Sequence, residues 1–378
     1  MSVKVSIYNR LAATGVVIVT SMACSSTQIK VEQARAIDQL HPNSTATNRK
    51  NLVAITTFKG HSERVTSVVF SPNGQLIASA SYDNTVKLWN PRTSQVIRTF
   101  PVQTTDENHN QEYKLWIEAS SKLSFSQDGK VLTLGNGYNA LIAWQVDTGK
   151  VVKKTRGRDS YTLGTAFSPD GTYFANALSI TPSANDLAKF SPDEISQRLA
   201  RSTHSQEAGE IGIWDVKTGQ QISTISKTGL SFSMAFSSDS QFLASSALSG
   251  RVSLWDLKSR RLLRTWQGSG AVAISPNNEF VAANSLGCVR VWNLRTGKEI
   301  YSFEGERDDG QALVFSSDSK LLAASTAELS TITIWDLIPG QKVTTLPSPQ
   351  VWAIAINSDR ELIATGNFDN TVRVWKMQ

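Results

Sequence analysis

Cysteine is scarce in this chain, which has only Cys24 and Cys288 among its 378 residues. Two cysteines cannot build the disulfide framework of a small secreted domain, and no Cys-x-x-Cys pair is present for metal or redox chemistry. Cys288 lies on a predicted strand that leads to Trp292, so we expect a small buried apolar side chain there rather than a reactive thiol. A chain of this length, with 40% hydrophobic residues, can bury a large core without a disulfide.

Histidines and catalytic motifs are also few. The four histidines are spread along the chain, at His41, His61, His109 and His204. Only His109 and His204 would approach each other in the predicted fold, and nothing in the sequence fixes their spacing as metal ligands. A phosphate-binding glycine loop and a nucleophile-elbow motif are both missing. We therefore expect no catalytic residue, no metal site and no cofactor.

Long hydrophobic runs are absent after residue 30, so the sequence predicts no membrane-spanning helix in that part of the chain. One apolar stretch, Leu11 to Ala23, lies near the start and follows the basic residues Lys4 and Arg10. Thirteen residues are too few for a comfortable membrane span but suit a secretory signal.

The end of this stretch, Ser21-Met22-Ala23-Cys24, resembles a bacterial lipobox, although Ser21 stands where Leu is usual. The resemblance implies that residues 1–23 are a signal peptide, removed before a diacylated Cys24. The protein would then be anchored by lipid in the cell envelope, facing outside the cytoplasm. Ordinary signal cleavage and no processing are the alternatives. Residues 24–51 are polar and would form a flexible tether that reaches on the order of 30 Å as a coil.

Seven tryptophans punctuate the rest of the chain, and each closes a short run with the composition of a strand. They are Trp89, Trp144, Trp214, Trp255, Trp292, Trp335 and Trp375. Four of the six intervals between them lie near 40 residues, and the intervals of 55 and 70 residues carry insertions. Self-similarity at this period indicates an all-β, seven-bladed β-propeller over residues 52–378.

A second marker repeats with the tryptophans. Turn tetrapeptides rich in Ser, Pro, Asn, Asp and Gly begin at Ser71, Ser126, Ser168, Ser237, Ser275, Ser316 and Asn357. In the first unit the alternation of residues predicts four strands, at Val65 to Phe70, Leu76 to Ala80, Thr85 to Trp89 and Val96 to Phe100. Each blade is therefore expected to be a four-stranded antiparallel sheet.

The dipeptides Gly60-His61, Trp214-Asp215, Trp255-Asp256 and Trp335-Asp336 give the chain a resemblance to the WD-repeat family. In that family a His, a Ser or Thr, an Asp and the strand-c Trp form a buried hydrogen-bonded tetrad. The resemblance assigns this tetrad to four residues of the first unit: His61, Ser79, Asp83 and Trp89. The seventh unit keeps Thr365, Asp369 and Trp375 but has Pro347 where the His would fall.

Ring closure follows from the residue count after the last tryptophan. Only three residues follow Trp375, too few for a fourth strand in the last blade. The run Leu52 to Phe58 resembles Ile300 to Phe303, which is a predicted fourth strand. We therefore expect the N-terminal strand to close the last blade and to protect its edge.

Two insertions, at about residues 103–118 and 180–208, are the expected sites of specificity. Both would emerge on one face of the propeller, because strand direction alternates. The candidate partner-binding residues are apolar and aromatic: Tyr113, Leu115, Trp116, Ile117, Ile195 and Leu199. The alternative is that Trp116 packs its own insertion down onto the blade.

These features favour a noncatalytic, lipid-anchored scaffold that binds a protein or peptide. We expect a monomer with no nucleic-acid partner. The rival interpretation is a propeller enzyme or small-ligand binder with a site at the central channel or on the decorated face. Charged rings at the entrances of the inner strands would favour that rival, but the predicted inner strands that we compared are largely apolar, Ser and Thr.

Overall fold

The computed structural model describes residues 52–102, 117, 121–136, 141–154, 162–178, 209–285, 287–304, 312–326, 331–348, 350–359 and 362–377. These residues form 28 strands in seven four-stranded antiparallel sheets, so the predicted all-β, seven-bladed propeller is confirmed. Within the same ranges no helix has the length and apolar character needed to cross a bilayer.

The strands of each blade are called a, b, c and d from the centre of the ring outwards, because the a strands contact one another. Blade 1 has β2 (Val65–Phe70), β3 (Ile77–Ser81), β4 (Thr85–Trp89) and β5 (Val96–Pro101). Blade 2 has β6 (Lys122–Phe125), β7 (Val131–Gly135), β8 (Leu141–Gln145) and β9 (Val151–Lys154). Blade 3 has β10 (Thr162–Phe167), β11 (Tyr173–Leu178), β12 (Glu210–Asp215) and β13 (Gln221–Ser226). Blade 4 has β14 (Ser231–Phe236), β15 (Phe242–Ala247), β16 (Arg251–Asp256) and β17 (Arg261–Gln267).

The remaining blades continue in the same order. Blade 5 has β18 (Val272–Ile274), β19 (Phe280–Ser285), β20 (Cys288–Asn293) and β21 (Glu299–Glu304). Blade 6 has β22 (Leu313–Phe315), β23 (Leu321–Thr326), β24 (Thr331–Asp336) and β25 (Gln341–Pro347). Blade 7 has β26 (Val351–Ile356), β27 (Leu362–Asn367) and β28 (Val372–Met377), and its d strand is β1 (Leu52–Phe58).

The ring closes through strand β1. This strand pairs antiparallel with β28, with Leu52 opposite Met377 and Phe58 opposite Val372. The predicted closure of the last blade by the N-terminal strand is confirmed. Pairing β1 with β28 covers an edge that would otherwise expose unpaired backbone groups.

Strand bounds in blade 1 lie close to those expected. Strands a and c have the predicted limits, strand b is shifted by one residue to Ile77–Ser81, and strand d extends to Pro101. Proline is tolerated at the end of strand d because this strand is the outermost of its sheet. Backbone N–H groups on its outer side have no partner strand, so the N–H that proline lacks is not needed there.

The a–b turns share one hydrogen-bond pattern. In blade 1 the Ser71 hydroxyl donates to Asn73 Oδ1 at 2.6 Å and accepts from the Leu76 amide at 2.9 Å. In blades 2 to 6 a serine hydroxyl at the same place donates to the Asp or Asn two residues later. In blade 7 Asn357 takes the place of the serine and accepts from the Leu362 amide at 3.0 Å. The repeated turn motif therefore has a single structural role, which is to fix the a–b hairpin.

The two faces of the ring carry different connections. Because Val65 pairs with Ser81 and Thr85 pairs with Pro101, the b–c turns and the d–a connections lie on one face, called here the b–c face. The a–b and c–d turns lie on the other, called here the c–d face. Leu52 enters on the c–d face, because it pairs with Met377 at the end of a c strand.

Neighbouring blades meet through the c-strand tryptophans. Four of these indole rings lie against an aromatic ring at the end of the preceding d strand, in the pairs Phe58–Trp89, Phe100–Trp144, Trp266–Trp292 and Phe303–Trp335. Trp255 and Trp375 share apolar clusters with Ile225 and Leu346, which are aliphatic residues of preceding d strands. The tryptophan repeat is thus a repeat of contacts between blades.

Candidate interaction surface and structural tetrad

The four residues of the expected tetrad come together in blade 1. His61 Nε2 lies 2.7 Å from the Ser79 hydroxyl, which also accepts a hydrogen bond from the Trp89 indole at 2.7 Å. On the other side of the imidazole, His61 Nδ1 lies 2.8 Å from Asp83 Oδ2. The histidine, the serine and the tryptophan are buried, so each hydrogen bond satisfies a polar atom that water does not reach.

Asp83 ends this chain of hydrogen bonds at the b–c turn. Burial by itself would raise the pKa of Asp83, but hydrogen bonds from His61 and Thr85, the charge of His61 and the Ser62 amide together hold it well below its usual value. The Thr85 hydroxyl and amide donate to Asp83 Oδ1 at 2.6 and 2.9 Å. The carboxylate therefore ties the segment before strand a to the turn between strands b and c. This role is structural.

Gly60 is required by the close approach of the chain to Trp89. A Cβ atom at residue 60 would lie 2.5 Å from Trp89 Cη2. On its other side the indole packs on Phe58, with ring centroids 4.5 Å apart. The Gly60-His61 dipeptide thus lets the backbone cross the indole while the imidazole reaches the serine.

The other blades keep only parts of the tetrad. Trp255 donates to Ser245 at 2.9 Å in blade 4, and Trp214 donates to Asn176 at 2.5 Å in blade 3. In blades 2, 5 and 6 the position that corresponds to Ser79 is apolar, with Leu134, Ala283 and Ala324. In blade 7 the side chains of Thr365 and Trp375 have no hydrogen-bond partner among the described residues. The three residues retained in the seventh unit therefore do not assemble a network.

Most candidate partner-binding residues lie outside the described ranges, namely Tyr113, Leu115, Trp116, Ile195 and Leu199, as does Cys24. Ile117 is described, and there the prediction was wrong. Its side chain is 1% exposed and packs in the core between blades 1 and 2, while its amide donates to Asn84 Oδ1 at 3.0 Å. Ile117 therefore fastens the end of the first insertion to the b–c turn and offers no contact to a partner.

The described ends of both insertions lie on the b–c face. The first insertion leaves the end of β5 and returns at Ile117, which is bonded to the b–c turn of blade 1. The second lies between Leu178 and Glu210, which pair with each other at the same end of blade 3. These attachment points are on the face opposite to the entry of Leu52.

Lys122 is a charged residue on the inner strand of blade 2. It was not found from the sequence, because the predicted inner strands that we compared did not include this one. It lies on β6, next to the centre of the ring, opposite Gly135 of β7. Burial lowers the pKa of the Lys122 ammonium below its ordinary value of about 10.5. The described parts of the seven inner strands carry no other charged residue.

A β-bulge in each d strand creates a second surface that sequence reasoning did not find. The register shifts beside the c-strand Trp, and the extra residue is apolar in all seven blades: Ile97, Val152, Ile222, Leu263, Ile300, Val343 and, on β1, Ile55. The first four and Ile55 are exposed. These seven residues are called here the outer belt. The signal that marks them is an apolar residue eight positions after each of the first six tryptophans.

The residue after each bulge often bonds to the next blade. Arg98 donates to the carbonyl oxygens of Asp147 and Thr148 at 2.6 and 3.1 Å. Equivalent contacts join Thr56 to Ser94, Lys153 to Lys217, Arg264 to Arg295 and Tyr301 to Leu337. We call these contacts the rim contacts. They join the d strand of one blade to the c–d turn of the next around five of the seven junctions.

In the described part of the chain, no three His, Cys, Asp or Glu side chains are grouped as metal ligands. His109 and His204 lie outside that part. Cys288 is buried on β20.

Comparison with known proteins agrees with the repeat and the blades. Residues 52–90, 219–256 and 340–376 match the family model described as "WD domain, G-beta repeat". A guanine nucleotide-binding protein subunit beta from Oryza sativa subsp. japonica is 24% identical over 356 residues, which cover 87% of this chain and 84% of the relative. The Arabidopsis thaliana subunit beta is 24% identical over 350 residues, covering 86% and 84%. Pre-mRNA-processing factor 19 from the same rice is 25% identical over 343 residues, covering 88% of this chain and 51% of the relative. The chain is thus similar to WD-repeat proteins in its matched repeats, and its seven four-stranded blades agree with that similarity.

Proposed function

We propose that the protein is a noncatalytic scaffold that binds a protein or peptide on the b–c face and is held at a membrane of the bacterial cell envelope by a lipid on Cys24. One observation carries this proposal. Leu52 enters on the c–d face, whereas both insertions are attached on the b–c face. A tether that ends at Leu52 would leave the b–c face free for a partner.

The relatives support the scaffold part of the proposal. The rice relative is named as a subunit beta, which is the name of one part of an assembly. A closed ring of seven blades offers a rigid frame from which loops can contact a partner, and the scaffold requires no reaction centre.

Capture from detergent-solubilised membranes tests partner binding. We expect deletion of residues 106–114 together with 185–201 to abolish capture of the specific partner without lowering the melting temperature. The matched control is Ile97→Ser, an exposed change near the c–d face, which is expected to leave capture intact. Capture that survives the double deletion contradicts the assignment of the b–c face.

The lipid anchor is tested by metabolic labelling with a radioactive fatty acid. We expect the wild-type chain to take up label and the Cys24→Ala variant to lose it. Cys288→Ala is the matched control, because Cys288 is buried on β20 and not a candidate for acylation, so that variant should keep the label. A Cys24→Ala protein that is still labelled, or a wild-type chain that is exported without label, contradicts the anchor.

Lys122 favours a second candidate function, which is binding of a small anionic ligand at the central channel. A partly buried ammonium on an inner strand would attract an anion, because partial burial weakens the hydration that otherwise stabilises the charge. Inorganic phosphate is a suitable probe. If this function is correct, phosphate at constant ionic strength raises the melting temperature of the wild type but not of Lys122→Met, and equal shifts in both proteins contradict it.

A further inference from the structure

The outer edge of blade 4 differs from the edges of the other blades. Strand β17 is seven residues long, and Leu262 and Leu263 are 43% and 46% exposed. As the outermost strand of its sheet it turns one row of backbone N–H and C=O groups away from β16. Such an edge can accept a further strand unless something blocks it.

Four of the other outer strands carry features that hinder pairing. β5 and β25 end in proline, β9 has four residues of which two are lysine, and β21 has glutamate at both ends. β13 and β1 have none of these features, but neither strand carries a lysine or an arginine, whereas β17 carries Arg261 and Arg264. β17 combines an open edge with a strongly basic neighbourhood.

Beside β17 lies a groove of about 400 Å³ between blades 4 and 5. Its walls are Leu262, Leu263 and the Thr296–Gly297 turn of blade 5. Its floor is held in place by Trp266, whose indole donates to the Gly297 carbonyl oxygen at 2.9 Å and stacks on Trp292. A preformed groove of this kind lowers the ordering cost of binding an extended peptide.

The charges around the groove are mainly positive. Six basic residues lie on β17 and on the c–d turns of blades 4 and 5: Lys258, Arg260, Arg261, Arg264, Arg295 and Lys298. Two carboxylates, Asp256 and Glu299, lie among them, and Asp256 accepts the Ser259 amide. Arg264 is held against the blade 5 turn by its contact with the Arg295 carbonyl oxygen. The net positive charge suits an acidic partner.

We propose that β17 binds an extended acidic segment of a partner protein, which adds to blade 4 as a fifth strand. Backbone groups of the segment pair with the open edge of β17, its apolar side chains contact Leu262 and Leu263 in the groove, and its carboxylates meet the surrounding cations. This site lies on the outer wall near the c–d face, so it is separate from the insertions of the proposed function.

Fluorescence anisotropy of the full chain with a labelled peptide of alternating glutamate and valine tests this site. We expect saturable binding that weakens at high salt, because exposed charges are screened. Leu263→Ser should weaken binding by at least about ten-fold, since it removes an aliphatic side chain that the bound peptide would cover. Ile97→Ser is the matched control, because Ile97 is the exposed bulge residue of blade 1, and that variant should bind the peptide like the wild type.

Two further measurements separate strand addition from other modes of binding. A peptide methylated on alternate backbone nitrogens loses donors, and we expect it not to bind. Phosphatidylglycerol vesicles test whether the surface is instead a lipid contact. The proposal is overturned if the peptide does not bind, if Leu263→Ser has no effect or only the effect of Ile97→Ser, if methylation changes nothing, or if the vesicles bind with the same dependence on Leu263. None of these results bears on the insertions, so the proposed function would stand or fall separately.

Discussion

The ring of Phe58 lies against the indole of Trp89, with centroids 4.5 Å apart. Phe58 ends the d strand of blade 7, whereas Trp89 ends the c strand of blade 1. Strand β1 therefore completes one blade and packs on the next. The closure is both a backbone pairing with β28 and a side-chain contact with blade 1, so the ends of the ring are joined on two sides.

Phe58→Ala is expected to destabilise the folded state by about 3 kcal/mol, because it removes a buried ring and leaves a cavity beside Trp89. Urea unfolding followed by tryptophan fluorescence measures the change in the free energy of unfolding. Val53→Ala lies on the same strand at a residue that is 41% exposed, and it should cost no more than about 0.5 kcal/mol. Equal losses in the two variants would show that the Phe58–Trp89 contact contributes nothing to closure.

Asp83→Asn is expected to cost about 2 kcal/mol at neutral pH, because it removes the charge from a carboxylate that accepts several hydrogen bonds. Asp369→Asn is the matched control at the corresponding place in blade 7. That carboxylate bonds Thr371 and Arg373 but belongs to no tetrad, so we expect a loss of about 1 kcal/mol or less. Chemical unfolding of both variants beside the wild type gives the comparison.

The contribution of Asp83 also depends on pH. Since its pKa is lowered on folding, its stabilisation is complete above the ordinary aspartate pKa of about 3.8 and is lost as the pH falls below that value. The difference in unfolding free energy between the wild type and Asp83→Asn should therefore shrink between pH 5 and pH 2. A difference that stays constant over this range is incompatible with the lowered pKa.

The number of blades and the closure were predictable because both leave a mark in the sequence at a fixed spacing. Six of the seven tryptophans contact the preceding d strand, and the run Leu52 to Phe58, which resembles the d strand of blade 5, takes the d position of blade 7. The tetrad was predictable only as a resemblance, and the structure brings its four residues together in blade 1. The sequence could not show that the Thr365 hydroxyl and the Trp375 indole N–H of blade 7 have no hydrogen-bond partner among the described residues, because hydrogen bonding depends on distances that sequence spacing does not fix.

The burial of Ile117 could not be predicted from the neighbouring residues in the sequence. It belongs to a run of apolar residues in an insertion, a pattern that fits either a partner surface or a return to the core. The hydrogen bond from the Ile117 amide to Asn84 and the packing of its side chain between blades place it in the core.

The outer belt was missed for a different reason. A bulge reverses the alternation of a strand for one residue, so a pattern of period two assigns its side chain to the wrong side.

Arg98→Met tests the rim contacts between blades. The arginine donates to two carbonyl oxygens of the next c–d turn, and we expect its loss to cost about 1 kcal/mol, the usual net value of such hydrogen bonds. Arg92→Met, an exposed change in the c–d turn of the same blade, is the control and should be close to neutral. Thermal unfolding of the two variants would contradict a stabilising role for the rim contacts if their melting temperatures were the same.

Lys122→Met is expected to stabilise the protein by about 1 kcal/mol at neutral pH, because the partly buried ammonium of the wild type is less well hydrated than an exposed one and methionine is apolar and of similar length. A lowered lysine pKa means that the unfolded chain binds the proton more tightly than the folded protein. The stability of the wild type should therefore rise with pH between the lowered pKa and the ordinary value of about 10.5, and the advantage of the methionine variant should shrink over the same interval. Urea unfolding of both proteins at pH 7 and pH 10 measures this difference, with Lys150→Met, a change at an exposed turn of the same blade, as the control. A methionine variant that is less stable at pH 7 would show instead that the Lys122 ammonium takes part in a favourable contact in the folded state.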